Sequence, residues 1–318
     1  MTAAPEVVSI GRVSVDLYAI EPGASFADQQ SFTKSVGGSP TNVAVAAARL
    51  GRRAALVTKV GGDGLGRYVL NRLRDWGVDT RFVEVQQGAQ TPVVLTALDP
   101  PASPQIAFYR GAAAPDTTLT ENDLPAHLIT GCQLLWLSHA SLAKGTTAAA
   151  VTTWARQRGR RPHTVLDLDY RPALWPDLAT ARGAAHAAIA ASTVVVGNLA
   201  ECEMAVATAD PEAAADALLA AGVDLAIVKL GADGVLMAQP DHRCTIAPTP
   251  VDVVCGLGAG DAFGGGLVHG LLSGWSVPRI GRFASAAGAL VASRLSCAEA
   301  MPTLTELDAV LIDEGASR

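Results

Sequence analysis

Short apolar runs and longer alanine-rich or amphipathic runs alternate along most of the chain. Short apolar runs bounded by turn residues read as buried strands, and apolar residues recurring with the helical period read as helices. By that rule strands fall at 7–10, 54–60, 133–138, 164–168, 193–196 and 225–230. Helices fall at 64–76, 146–158, 199–207 and 212–221, and the chain beyond Asp261 is almost wholly helical. The apolar run 251–254 reads as one more strand, feeding a glycine-rich turn into that last helical region. This alternation predicts an α/β fold, a mostly parallel sheet covered by helices on both faces. Ligands on such sheets sit beyond the carboxyl ends of strands, so the turns after strands are where chemistry is expected.

Two stretches break the alternation. Residues 13–20 with 30–36, and 91–98 with 105–110, have the pattern of β-ribbons. The second pair is joined by Asp99-Pro100-Pro101-Ala102-Ser103-Pro104, a turn rich in strand breakers. The expectation is one domain over 1–318 with lid ribbons at about 13–36 and 91–110 inserted in it. A small sheet of this kind cannot bury both faces within one chain. It is expected to cover the ligand site as a lid, or to pair with another subunit, or to do both, with a homodimer through the lid sheet as the expected assembly.

Composition changes the picture mainly by exclusion. The 318 residues are 49% hydrophobic but only 5% aromatic, so a large core is built from small side chains. A net charge of −6 without a Lys/Arg-rich run argues against nucleic acid and anionic membranes as partners. No apolar run suits a bilayer span, and residues 1–6 do not open a secretory signal. The five cysteines (Cys132, Cys202, Cys244, Cys255, Cys297) are scattered without CxxC spacing. They fit free thiols in a reducing cytoplasm and not a zinc site. His139 and His269 lie in apolar surroundings and are expected to be packed rather than metal-bound.

The candidate chemistry lies in the turns. Gly258-Ala259-Gly260-Asp261 precedes a helix. Such a turn leaves backbone N–H groups free at the positive end of the helix dipole, a place that binds phosphate oxygens. A carboxylate within that nest makes sense if Asp261 accepts a proton from an attacking hydroxyl; as a residue type it can also be a simple helix cap. Near the other end of the chain, Gly37-Gly38-Ser39-Pro40-Thr41-Asn42 precedes a small apolar helix stopped by Gly51. Ser39 suits the N-cap and Pro40 the first helical position. The two glycines let a polyhydroxylated ligand approach the backbone, and Asn42 offers donors and acceptors to sugar hydroxyls.

Together these motifs resemble the PfkB/ribokinase-like carbohydrate kinases from end to end. The resemblance rests on the Gly37-to-Asn42 run with Val60-Gly61-Gly62-Asp63-Gly64-Leu65-Gly66, and on Gly258-Ala259-Gly260-Asp261-Ala262-Phe263. It is completed by Asn198-Leu199-Ala200-Glu201, similar to an NxxE motif, and by Lys229-Leu230-Gly231-Ala232-Asp233-Gly234. It implies a ribokinase-like three-layer α/β/α sandwich with a small β-sheet lid, and ATP and Mg²⁺ as co-substrate and cofactor. It implies Asp261 as base and Gly258, Ala259 and Gly260 as the anion hole for the migrating phosphoryl group. Asn198 and Glu201 are implied to order Mg²⁺ and its waters, and Lys229, Gly231, Ala232 and Gly234 to line the nucleotide cleft. Asp16, Gly37, Gly38 and Asn42 are implied to hold sugar hydroxyls. From the residues alone, Asn198 and Glu201 can also be a capping pair, and Asp16 a turn residue. Many relatives carry an Asp-Thr pair before the Gly-Ala-Gly-Asp run, where this chain has Cys255-Gly256-Leu257; the nearest acid, Asp252, comes too early. A monovalent cation is therefore in doubt, with a site made of backbone carbonyls left open.

Three features point to an acidic sugar: Phe108-Tyr109-Arg110, the run from Asp167 to Trp175 containing Asp169-Tyr170-Arg171, and the run from Ser296 to Pro302. A guanidinium grips a carboxylate through paired charge-assisted hydrogen bonds, which a simple aldose or ketose does not need. Tyr109, Arg110, Asp169 and Arg171 are the candidates, although each arginine can instead pair locally with Asp116 or Asp169. The three features resemble the 5-dehydro-2-deoxygluconokinase branch. The implied reaction phosphorylates the 6-hydroxyl of 5-dehydro-2-deoxy-D-gluconate. The alternatives are a 2-keto-3-deoxygluconate kinase, in which Asn usually replaces Asp169, and a neutral-sugar kinase of the same fold.

Overall fold

The described residues form thirteen strands, most of them apolar runs. They are β1 (Val7–Ile10), β2 (Ser14–Ala19), β3 (Phe32–Gly37), β4 (Ala54–Gly61), β5 (Val83–Gln86), β6 (Val93–Ala97) and β7 (Gln105–Tyr109), followed by β8 (Leu134–Ser138), β9 (Thr164–Asp167), β10 (Val194–Asn198), β11 (Leu225–Lys229), β12 (Val235–Gln239) and β13 (His242–Ile246). Ten helices connect them: α1 (Ser39–Arg49), α2 (Gly64–Asp75), α3 (Ala126–Gly131), α4 (Gly145–Arg158), α5 (Leu178–Ala190), α6 (Leu199–Val206), α7 (Pro211–Ala220), α8 (Ala259–Leu272), α9 (Val277–Ala292) and α10 (Leu304–Ala316). This computed structural model describes residues 3–316 apart from 22, 24 and 112.

The main sheet runs β13-β12-β11-β10-β9-β8-β1-β4-β5, parallel from β11 to β5, with β12 and β13 antiparallel. Strand residues alternate between its faces. Val8, Ile10, Leu135, Leu137, Leu166 and Val228 pack with α4 to α7. Val7, Leu134, Trp136, Val165 and Ile227 pack with α1, α8 and α9. That is the expected three-layer sandwich. Small side chains let the layers close up: a Cβ on Gly265 of α8 would fall 2.2 Å from the Cβ of Ala46 in α1. The close approach of α8 and α1 brings the two ends of the chain to one place.

Three strands were not legible in the pattern: β5 and the β12–β13 hairpin. The strand expected at 251–254 is absent; Val251, Val253 and Val254 are exposed. The hairpin places β13 at that edge of the sheet, and the 251–254 run crosses in the open, tied through the Val254 and Cys255 N–H groups to the Ala292 carbonyl. His139 stacks on Trp175 at 4.5 Å and His269 packs against Trp275 and Phe283, as their apolar surroundings predict. Among the described residues no helix is long and apolar enough to cross a membrane.

The two predicted ribbons form a second sheet, β3-β2-β6-β7, because β2 and β6 pair in parallel. Its register fixes its faces. Ser14, Asp16, Val94, Ile106 and Phe108 share one face, and Leu17, Val93, Leu95 and Tyr109 share the other. The lid is tied to the main body at several points. Asp63 caps α2 through the Gly66 N–H at 2.7 Å and accepts the Thr91 N–H at 2.8 Å. The Gly256 N–H donates to the Pro101 carbonyl at 2.9 Å, so the lid turn rests on the loop that leads into α8.

Candidate active site

An open cleft with about 390 Å³ of empty space lies where the carboxyl ends of the parallel strands meet the inner face of the lid. It gathers Asp16, Gly38, Asn42, Arg171 and Asp261 from the expected residues, and adds Arg12, Ser14, Phe108, Leu257 and Cys297. Gly37 ends β3 beside this cleft, where any Cβ would fall 2.0 Å from the Asp16 carboxylate. Asp16 itself is buried, and burial raises its pKa to about 6 against the pull of the Ser14 hydrogen bond and the Arg12 charge.

Asp261 stands in the first turn of α8. The N-cap, Gly258, has φ 87° and offers no side-chain acceptor, so the first-turn N–H groups are left to a ligand. A Cβ on Gly258 would fall 2.6 Å from Cys297 Sγ, so the turn is glycine by conformation and by space. The Asn42 amide donates to Asp261 Oδ2 at 2.8 Å, while Asn42 Oδ1 is buried without a donor. One side chain thus orients the carboxylate and presents an orphan acceptor to a hydroxyl. Burial raises the Asp261 pKa, the Asn42 hydrogen bond opposes this, and Asp169 adds to the rise. Behind the turn is the Lys229 ammonium, 3.2 Å from where a Cβ on Gly260 would stand. Burial pushes its pKa down, but Asp167, Glu201 and Asp261 outweigh this, and it stays a cation.

Helix α1 begins one residue earlier than its motif suggested. Gly38 is the N-cap, Ser39 is the first helical residue, and no side chain caps the turn. The Ser39 hydroxyl instead donates to Asp167 Oδ2 at 3.3 Å. Pulling Ser39 inward to a buried acid accounts for the shift. Burial, with Asp169 and Glu201 nearby, raises the Asp167 pKa. Asp169 is held low: burial would raise it, but Arg171 and Arg12 outweigh that.

The expected carboxylate grip is arranged differently from the sequence reading. Tyr109 points from the outer face of β7 and is 63% exposed, because Phe108 occupies the inward position. Arg110 stands outside the cleft, where its Nη2 donates to both oxygens of buried Asp116 at 2.8 Å. Arg171 does line the cleft, and its Nε donates to Asp169 Oδ1 at 2.9 Å. Both arginines therefore make the local ion pairs that were the alternative reading.

At the turn expected to face a nucleotide, Asn198 caps α6 and Glu201 closes the capping box: Asn198 Oδ1 accepts the Glu201 N–H at 2.9 Å, and Glu201 Oε2 accepts the Asn198 N–H at 2.7 Å. Gly231, Ala232 and Gly234 belong to the short turn between β11 and β12, and Gly231 faces open space. Among the described residues no cluster of three or more metal-ligating side chains occurs. The donors fit Mg²⁺ held by few protein groups and completed by waters and phosphate, which is how this reluctantly dehydrated ion is usually bound. Cys255 is buried and Asp252 exposed, so neither supplies a carboxylate at the loop before α8.

Sequence reasoning missed Arg12, Phe108 and Asp167 as site residues. Asp167 ends β9 and Arg12 lies two residues past β1, at the carboxyl ends the strand-end rule favours, and both could have been nominated on that ground. Phe108 needed the register of β7.

The chain matches the description "pfkB family carbohydrate kinase" over residues 4–304. It is 31% identical over 311 residues to a 5-dehydro-2-deoxygluconokinase of Geobacillus thermodenitrificans, covering 95% of this chain and 92% of that one. Its fold is similar to a fructokinase of Vibrio cholerae solved with fructose, ADP and calcium ion, with TM-score 0.84, 26% identity and coverage of 96% and 98%. A putative ribokinase II of E. coli, solved with ATP and Mg²⁺, shares the fold with TM-score 0.88 at 23% identity, covering 97% of this chain and 99% of that one.

Proposed function

The chain belongs to the pfkB family of carbohydrate kinases, and from that premise we propose that it transfers the γ-phosphoryl group of ATP to the terminal hydroxyl of an acidic deoxy-keto sugar. The substrate we assign is 5-dehydro-2-deoxy-D-gluconate, giving its 6-phosphate. The observation that carries the reading is the Asp261 carboxylate, held by Asn42 in an open cleft at an uncapped helix start. The acidic substrate is supported by the basic side chains around that cleft and by relatives named 5-dehydro-2-deoxygluconokinase.

In this reading the 6-hydroxyl lies against Asp261. The carboxylate takes its proton as the oxygen attacks the γ-phosphorus, and the bond to the β–γ bridging oxygen breaks with its electron pair left on ADP. The first-turn amides of Gly258, Ala259, Gly260 and Asp261, with Lys229 behind them, stabilise the equatorial charge of the phosphoryl group. Because they are already oriented, they do so without reorganisation. Asp16, Gly37, Gly38 and Asn42 hold the sugar hydroxyls. Gly231, Ala232 and Gly234 border the base and ribose. Asn198 and Glu201 would hold Mg²⁺ through water, and the ion would supply neutralisation of phosphate charge. The outer face of the lid, with Leu17, Leu95 and Tyr109 on one side of the sheet, pairs two chains.

An ADP-release assay over a substrate panel tests the reading. The panel holds both ketodeoxygluconate isomers, fructose, ribose and adenosine. The expected result is turnover greatest with 5-dehydro-2-deoxygluconate; fructose or adenosine as the best acceptor would refute the acidic-sugar assignment.

A further inference from the structure

We infer that Arg12 is the residue that reads the substrate's carboxylate, at a junction where the sugar cleft meets a second basic cavity. The inference rests on the acidic-sugar reading above and replaces Arg110 and Arg171 as the principal grip. Arg12 lines two cavities at once. One is the cleft that holds Asp261; the other has about 320 Å³ of empty space and is walled by Arg110, Asp116, Ser141, Lys144 and Thr147.

Three observations separate Arg12 from the other two arginines. First, the others are neutralised inside the protein, Arg110 by Asp116 and Arg171 by Asp169. Among the described residues Arg12 has no carboxylate within ion-pair distance, and its Nε is buried without an acceptor. A guanidinium whose Nε is buried without an acceptor is costly, and an anionic ligand relieves that cost on binding. Second, Arg12 is held in place before any ligand arrives. Its carbonyl accepts the Thr41 hydroxyl at 2.8 Å, at the start of α1, and its guanidinium lies 5.6 Å from the centre of the Phe108 ring. A preorganised planar fork loses little freedom when a planar carboxylate docks on it. Third, with Arg110 and Arg171 paired, Arg12 and Lys144 are the cations lining the two cavities that make no ion pair among the described residues, while Asp16 and Asp261 line the other side of the sugar cleft.

The site therefore has two anionic ends. The phosphoryl group is met by the first turn of α8 and Lys229, and the carboxylate by Arg12. A substrate with its hydroxyl at Asp261 and its acid at Arg12 is selected over a neutral sugar of the same length, because the neutral sugar leaves the guanidinium without a partner.

Steady-state kinetics of wild type, Arg12→Gln and Arg12→Lys on 5-dehydro-2-deoxygluconate and on fructose test this. For Arg12→Gln, KM for the acid should rise about a hundredfold with a much smaller change in kcat, and KM for ATP should hold. The preference for the acid over fructose in kcat/KM should collapse. Arg12→Lys, which keeps the charge but loses the fork, should recover only part of the loss; it also decides the matter if the Gln variant does not fold. A KM for the acid within about threefold of wild type in the folded variants overturns the role of Arg12 and leaves the kinase reading standing. Wild-type turnover confined to neutral sugars overturns both.

Discussion

At the scale of single residues, the site works by setting unlike environments side by side. Asp261 is half-buried, and its desolvation favours the protonated form, while Asn42 donates to it, which favours the ionised form a base requires. The sign follows directly. A hydrogen bond to the charged form lowers the pKa, so removing it raises the pKa further. Asn42→Ala should therefore move the acid limb of the kcat/KM profile to higher pH, by about one unit. A limb that stays in place would mean that Asn42 does not tune the base. Asp261, Asn42 and the two glycine turns were legible because turn chemistry is local in sequence. The arginines were not, because their partners decide their roles. Whether Arg110 faces a ligand or Asp116 depends on a buried acid six residues on, and whether Arg12 is free depends on where Asp116 and Asp169 stand.

At the scale of elements, position follows from parity and from turns. Adjacent residues of β7 point to opposite faces, so Phe108 enters the cleft and Tyr109 meets the outside. The sequence motif contains both and does not say which is inward. The β12–β13 hairpin escaped notice because its second strand is polar and mostly exposed, with little apolar pattern to read. The run 251–254 misled for the opposite reason: it is mostly apolar, but it pairs with no strand and is tied instead to the Ala292 carbonyl at the end of α9. The turn into α8 makes a sharper demand. Gly258 holds φ 87° with Cys297 Sγ packed against the space a side chain would need. Gly258→Ala should cost about 1–2 kcal/mol from backbone conformation alone, and more from the clash. Cys297→Ala in the same chain should restore the part due to the clash and leave the rest. Thermal melts and turnover of the single and double variants measure this; a Gly258→Ala protein with wild-type stability and rate would show that the turn is not held as described.

At the scale of the whole molecule, the fold exists to close a long gap in sequence. Asn42 and Asp261 stand 219 residues apart and share one hydrogen bond. The alternation of strands and helices was readable throughout, and it places both turns at the same end of the sheet. What brings them into contact is the close packing of α1 on α8 through glycine and alanine, which no local pattern reports. The lid then closes the site from a second sheet whose turn rests on the loop before α8. In the proposed reading, the substrate's acid at Arg12, the phosphoryl group at the first turn of α8 and Asp261 as base depend on this assembly rather than on any one motif. The most direct test removes the base alone. With Asp261→Asn, ADP release on the best acceptor of the panel should fall by at least about a thousandfold, while ATP affinity changes by less than about threefold. Near-normal turnover from that variant would contradict the assignment of Asp261 and the mechanism built on it.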